Sequence, residues 1–200
     1  MSKFKRRLKI INNMTGYKSA TLEAASTQFE NSLSHLDRAK KLGDLSLKDK
    51  GALVERINAN YKKVQDSLVN ELAAIESSEE ANQAAINSKL LLNTQQQQLI
   101  GLLSDKTPEQ IMRLAKNDPS IAVMAAAGGA LLGLGTKDSK DLIKTIAPEN
   151  VANLDYLAKV KEELGSAAKT LTGNDRQAVD LAQLSAAEEE QLQILTQSAL

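Results

Sequence analysis

The residues with reactive side chains exclude more than they offer. The chain has one histidine, His35, and no cysteine, so any site that needs two imidazoles or a thiolate is ruled out. His35 stands near Asp37 and Arg38 but between the apolar Leu33 and Leu36, which reads as a surface or seam position rather than a general base. Paired carboxylates serve acid–base chemistry when burial raises one of them. Glu162-Glu163 and Glu188-Glu189-Glu190 lie instead in polar helical stretches, where consecutive side chains fan out around the axis and converge on nothing. The stretch GGALLGLGTK imitates a phosphate loop, yet Leu134 holds the position that should be lysine and no strand precedes it. There is no HExxH, nucleophile elbow or EF-hand loop. The expectation is a protein that is not an enzyme, with no catalytic residue, no cofactor and no metal.

Two other groupings point to binding rather than reaction. Lys3, Lys5, Arg6, Arg7 and Lys9 form a basic N-terminal arm, and with Lys18 they leave the remaining 180 residues with 19 basic against 25 acidic side chains. A basic arm on an acidic body can meet phosphate, anionic lipid or an acidic partner. Phe4, Leu8 and Ile11 recur at helical spacing, so the arm can also become an amphipathic helix on a surface. The second grouping is PSIAVMAAAGGALLGLGT, 18 residues without charge between Asp118 and Lys137. As one helix, Ala122, Ala126 and Ala130 form a ribbon of small residues, and Ala125, Gly129 and Gly133 an adjacent one. Such ribbons allow close backbone approach, as in membrane helix packing, while Val123, Met124, Leu131, Leu132 and Leu134 remain to face lipid. The apolar centre would rise only about 21 Å against a hydrocarbon layer of about 30 Å, which does not suit a single-pass anchor. A close-packed helix or hairpin buried in protein is the competing reading.

These groupings hang on helices. Of the 200 residues, 42% are hydrophobic and only 2% aromatic, with equal numbers of acids and bases. Burial therefore rests on Leu, Ile, Val and Ala, which make seams more readily than a thick core. Leu22, Ala25, Phe29, Leu33 and Leu36 trace one helical stripe that Gly43 ends, and Ser46 caps the next helix. There Val54, Ile57, Tyr61, Val64, Leu68, Leu72 and Ile75 trace a second stripe, narrow enough to need the first helix or another subunit as cover. With no proline from Ser46 to Ser104, that helix could run unbroken for about 88 Å. Thr107-Pro108-Glu109-Gln110 and Asp118-Pro119 are start signals. Helices ending before Pro148 and running from Val151 to Leu164 follow, then a break at Thr172-Gly173-Asn174-Asp175 with Asn174 as cap, and a last helix through Val179, Leu181, Leu184, Leu192 and Leu195. The fold class is all-α: an elongated hairpin of coiled-coil-like helices with a short Gly/Ala-rich apolar segment, assembled as a homo-oligomer. The divisions are 1–14 basic arm, 15–104 long helical hairpin, 105–135 short helix plus apolar segment, and 136–200 C-terminal helices.

A cysteine-free chain with a basic start, long Ala- and Gln-rich helices that include Gln95-Gln96-Gln97-Gln98, and one short Gly/Ala-rich apolar segment resembles the small internal virion (ejection) proteins of short-tailed bacteriophages. The resemblance is to a general plan and carries over no functional residue. It implies a structural protein held in the virion interior before infection. After ejection such a protein oligomerises into a ring or channel in the host envelope, at the outer membrane or periplasm, to help genome delivery. Segment 119–135 would then line or anchor the pore, and the stripe of Val54 to Ile75 would be the oligomer seam. Partners would be copies of itself, other virion or ejection proteins, host membrane lipid, and DNA met non-specifically through the basic arm or the channel. Two alternatives share the same helices: a soluble helical scaffold or adaptor of a virion or secretion machine, and a helical pore-forming toxin.

Overall fold

The computed structural model describes residues 2–42, 47–183, 187 and 191. Among these there is no strand, and eight α-helices succeed one another. They are α1 (Lys3–Thr15), α2 (Ala20–Leu42), α3 (Leu47–Lys89), α4 (Thr94–Leu103), α5 (Pro108–Ala115), α6 (Pro119–Gly128), α7 (Thr136–Ile146) and α8 (Pro148–Thr170). The all-α class is as expected. Gly43, Ser46, Leu184, Glu188 to Glu190, Leu192 and Leu195 lie outside the described residues.

The chain divides into two compact units: the described residues of Met1–Ile75 with Lys159–Leu200, and Glu76–Ala158. In the first, α2 and α3 run antiparallel. Ser19 and Tyr17 hydroxyls donate to the Glu71 carboxylate, the Phe29 and Tyr61 rings lie 5.6 Å apart, and Asn60 Nδ2 donates to Ser32 Oγ at 2.7 Å. Phe4, Leu8 and Ile11 bury the inner face of α1 against α2, so the basic segment is a folded helix. Gly16 closes α1 in the left-handed conformation at φ 73°, and its N–H donates to Asn12 O at 2.8 Å.

Two helix ends differ from the sequence reading. The helix that starts at Leu47 stops at Lys89 rather than running on to Ser104, because Asn93 and Gln96 form a reciprocal capping box that starts α4 afresh. Asn93 Oδ1 accepts from Gln96 N at 2.8 Å, and Gln96 Oε1 from Asn93 N at 3.1 Å. At Thr172-Gly173-Asn174-Asp175 there is no break. The helix widens into one π-helical turn, Leu171–Asp175, and continues through residues 176–183, so Asn174 caps nothing. That turn directs Asp175 to the start of α1, where its carboxylate accepts from Lys3 N at 3.2 Å and Phe4 N at 2.9 Å. Ser2 Oγ adds a third bond, from Lys5 N at 3.1 Å. The first turn of α1 is thus satisfied by a residue about 170 positions away.

The second unit is built around α6. Its core joins Leu103 of α4, Ile111 and Ala115 of α5, Ala122, Met124 and Ala125 of α6, Leu132 and Leu134 beyond it, and Leu142 of α7. The two expected start signals are present: Thr107 with Gln110 forms a capping box ahead of Pro108, and Asp118 accepts from Ser120 N at 2.8 Å ahead of Pro119. Asn150 of α8 bonds Asn82 of α3 at 3.1 Å and receives Lys89 Nζ at 3.3 Å.

Asp175 is only 4% exposed. Burial pushes its carboxyl above the ordinary aspartate range, against the downward pull of the Phe4 and Lys3 amides. Replacing it by alanine leaves the buried Phe4 N–H without an acceptor, and Asp175→Ala should lower the unfolding free energy by about 1–3 kcal/mol in urea titrations. The pH dependence has a definite sign. A carboxyl whose folded pKa is raised contributes stability that is fully present below its unfolded pKa and lost as pH rises through the folded one. Wild type should therefore lose stability relative to Asp175→Asn as pH is raised from acid through the aspartate range, and a gap that widens in favour of wild type would contradict the assignment.

Candidate functional site

The Gly/Ala-rich segment does not form one helix. Helix α6 ends at Gly128, Gly129 takes φ 28° and ψ −105°, residues Gly129–Leu132 form a 3-10 turn, and Gly133 is left-handed at φ 68°. The two small-residue ribbons are therefore cut. Ala122 and Ala125 are buried on α6, Val123 and Ala126 are half-buried, Gly129 is half-buried past the helix end, and Ala130 and Gly133 are exposed. Met124, Leu132 and Leu134, expected to face lipid, lie in the core of the second unit, and Leu131 alone of the large apolar side chains stands out, at 84% exposure. The physical reason is local. A Cβ on Gly128 would come within 2.8 Å of Leu132 Cδ1 and 3.1 Å of Leu132 Cγ, so the missing side chain is what lets the turn fold Leu132 back over α6. No described helix is long and apolar enough to cross a membrane.

The basic residues of α1 separate into engaged and free. Lys5 Nζ pairs with Glu30 at 2.6 Å, and Arg7 Nη2 reaches Glu163 at 2.9 Å and Ser166 Oγ at 3.2 Å, while Arg7 Nε is buried without a partner. Lys3 Nζ donates to Asn174 at 2.7 Å. Arg6 and Lys9 face outward, on the same side of the helix as the exposed Ile10 and Met14. The arm is thus two-sided: Phe4, Leu8 and Ile11 hold it to the unit, and its outer face mixes positive charge with apolar surface.

The stripe read as an oligomer seam is covered by the chain itself. Val54, Ile57, Tyr61, Val64, Leu68 and Ile75 are buried and Leu72 half-buried within the first unit. Tyr61 sits at its centre: its ring meets Phe29, its hydroxyl donates to Leu171 O at 3.3 Å, and Arg176 lies 5.7 Å from the ring centroid. Burial pushes the Tyr61 phenol up. Helix α2, the first helix that the sequence reading offered as cover alongside another subunit, lies over this stripe, and Leu171 and Arg176 add to it. Asp175 has no counterpart in that reading, since no local pattern announces a cap for a helix 171 residues away.

Among the described residues no group of three or more acidic or histidine side chains is placed to hold a metal ion.

The glycines give a test of this geometry. Gly101, inside α4 with open space around it, and Gly133, left-handed beyond α6, should respond to alanine with opposite sign. Gly101→Ala should gain up to about 1 kcal/mol from helix propensity, and Gly133→Ala should lose about 1–2 kcal/mol from a Cβ in the left-handed region; equal shifts in thermal unfolding would refute the turn.

Comparison with protein-family models, with curated proteins and with solved structures gives no match for this chain.

Proposed function

We propose that this chain is a structural subunit that acts by assembly, in a genome-delivery apparatus of the kind built by the ejection proteins of short-tailed phages. Copies associate with one another and with other virion proteins in the virion interior. After ejection, the assembly meets the host cell envelope and forms a ring or channel there. The observation that carries this reading is the apolar surface left over when each unit has closed. Leu91 is 77% exposed, Leu102 64% and Leu131 84% in the second unit, and Met14 is 54% exposed on α1 beside Arg6 and Lys9. Large apolar side chains in water favour a partner surface. A helix face that mixes them with cations suits an anionic lipid headgroup layer.

The burial of five apolar side chains of segment 119–135 orders the events. Ala122, Met124, Ala125, Leu132 and Leu134 must leave the core of their unit before any of them touches hydrocarbon, so contact through α1 and the exposed leucines comes first and insertion depends on assembly. The same burial favours a second reading, a helical scaffold or adaptor that keeps this segment inside the protein throughout.

Purified protein, imaged by electron microscopy with and without vesicles of phosphatidylglycerol and phosphatidylethanolamine, separates the two. Wild type should form closed oligomers and release a trapped dye. The double variant Leu102→Glu/Leu131→Glu, at exposed positions, should keep its circular dichroism and lose assembly. Arg6→Gln/Lys9→Gln should weaken vesicle binding by about tenfold or more at low salt, at roughly 1 kcal/mol per cation near an anionic surface. Assembly without dye release selects the scaffold. A wild type that stays monomeric at high concentration and ignores vesicles overturns both.

A further inference from the structure

A groove of about 440 Å³ runs between α2 and α3, lined by Gln28, Asn31, Ser32 and His35 from the first helix and Arg56, Asn60 and Lys63 from the second. No carboxylate and no apolar side chain lines it. That composition is unusual in a body where acids outnumber bases, and it is a product of register. On α2 the lining residues step by three, one and three, and on α3 by four and three, so each set forms one helical face. The antiparallel pairing fixed by Phe29 with Tyr61 and by Ser32 with Asn60 then places His35 toward the Arg56 end and Gln28 toward the Lys63 end.

The floor is fixed and the cations are not engaged. Asn60 is buried, and its Nδ2 donates to Ser32 Oγ at 2.7 Å and to Gln28 O at 3.4 Å, which locks the middle of the groove. Arg56, Lys63 and His35 are exposed and make no hydrogen bond or ion pair with any described residue. Glu55 and Asp66, their neighbours on α3, stand outside the lining. The groove therefore presents two free cations, an imidazole and neutral amide groups to an incoming ligand, and no carboxylate lines it.

We infer that this groove between α2 and α3 binds a chain of phosphate groups, with Arg56 and Lys63 each taking phosphate oxygens at one end, Asn31 bonding between them and Gln28 adding a donor toward the Lys63 end. Arg56 and Lys63 are two helical turns apart, about 10 Å along the axis at ~1.5 Å per residue, a separation suited to a linear polyanion rather than a lone phosphate. No Phe, Tyr or Trp side chain lines the groove, so recognition rests on the phosphates and carries no sequence preference. The chemistry is shared by a single-stranded nucleic acid backbone and inorganic polyphosphate. The inference stands apart from the assembly reading and needs neither oligomer nor lipid.

The full-length protein, titrated at low salt with a fluorescent ten-nucleotide oligo-dT, with tripolyphosphate and with orthophosphate, tests it. Arg56→Gln/Lys63→Gln should weaken oligo-dT or tripolyphosphate binding at least tenfold. The charge-matched control Arg38→Gln/Lys62→Gln, at exposed cations outside the lining, should stay within about twofold, and Arg56→Lys/Lys63→Arg should retain binding. For oligo-dT, the slope of log affinity against log salt should fall by about 1.4 in the groove variant, at ~0.7 per single-strand phosphate. Binding of both polyanions supports the groove with nucleic acid among its ligands, and binding of tripolyphosphate alone supports it with inorganic polyphosphate as the source. Equal losses in the two double variants, no loss in the groove variant, orthophosphate binding as tightly as tripolyphosphate, or no binding by wild type would each overturn the proposal. Unchanged circular dichroism and thermal unfolding of the variants confirms that the losses are local.

Discussion

A carboxylate held at the start of a helix closes the first unit. Helix α1 begins with amides that its own backbone cannot satisfy, and Asp175 accepts from two of them at 3.2 and 2.9 Å. The groups lie 171 and 172 residues apart, so the bond forms only when the two ends of the described chain are already together. Loop closure over such a span grows only slowly with length but is paid all at once. It must therefore coincide with other contacts, and it does. Phe4, Leu8 and Ile11 enter the core as Val160, Leu164, Ala167 and Leu171 do, and the Arg7–Glu163 pair forms across the same junction. Cap, apolar stripe and ion pair are one cooperative contact, which is why the basic segment is not a loose arm.

The second unit meets a different constraint, a shortage of bulk. Its central helix reads Pro119 to Gly128 with four alanines and one glycine. Side chains this small cover little area each, so close approach must replace size. Leu132 achieves it by folding back over Gly128, and Ile100 approaches the same glycine from α4. Three helix starts are fixed by side-chain caps at Asn93, Thr107 and Asp118. Short helices of eight and ten residues are marginal alone, and these caps with tertiary packing set where they begin.

Periodicity made the helices and their inner faces legible in the sequence. The stripes through Phe29 and Ile57 are buried, and the proline-led starts at Pro108 and Pro119 stand where cap chemistry puts them. The Asn93-x-x-Gln96 box was equally written in the sequence, but its Gln96 lies inside the run of four glutamines, Gln95 to Gln98, whose helical propensity favoured an unbroken helix. What covers each stripe was not legible. Val54 to Ile75 needs a partner, and the same spacing fits a neighbouring helix or a second subunit, because periodicity specifies a face and never its occupant. The Gly/Ala segment failed differently: the ribbon reading assumed helical φ at Gly129 and Gly133, and glycine is the residue whose φ a sequence constrains least. The Asp175 cap and the α2–α3 groove depend on pairing between distant residues, which local pattern cannot carry.

Placing the apolar segment inside a folded unit also changes what a membrane step would require. A preformed apolar helix needs only to meet a bilayer, whereas Met124, Leu132 and Leu134 must first give up protein contacts of the same apolar kind. Exchanging one apolar surrounding for another yields little free energy, so lipid alone is a weak trigger. The bias has to come from groups that are worse placed in the closed unit than in the alternative, and Leu91, Leu102 and Leu131 are those groups, since water surrounds them now. A partner surface that covers these leucines only after α6 has moved binds the open form better than the closed one, which is the sole way a ligand shifts such an equilibrium. In the proposed function, assembly would then be the cause of exposure of the segment and not its consequence.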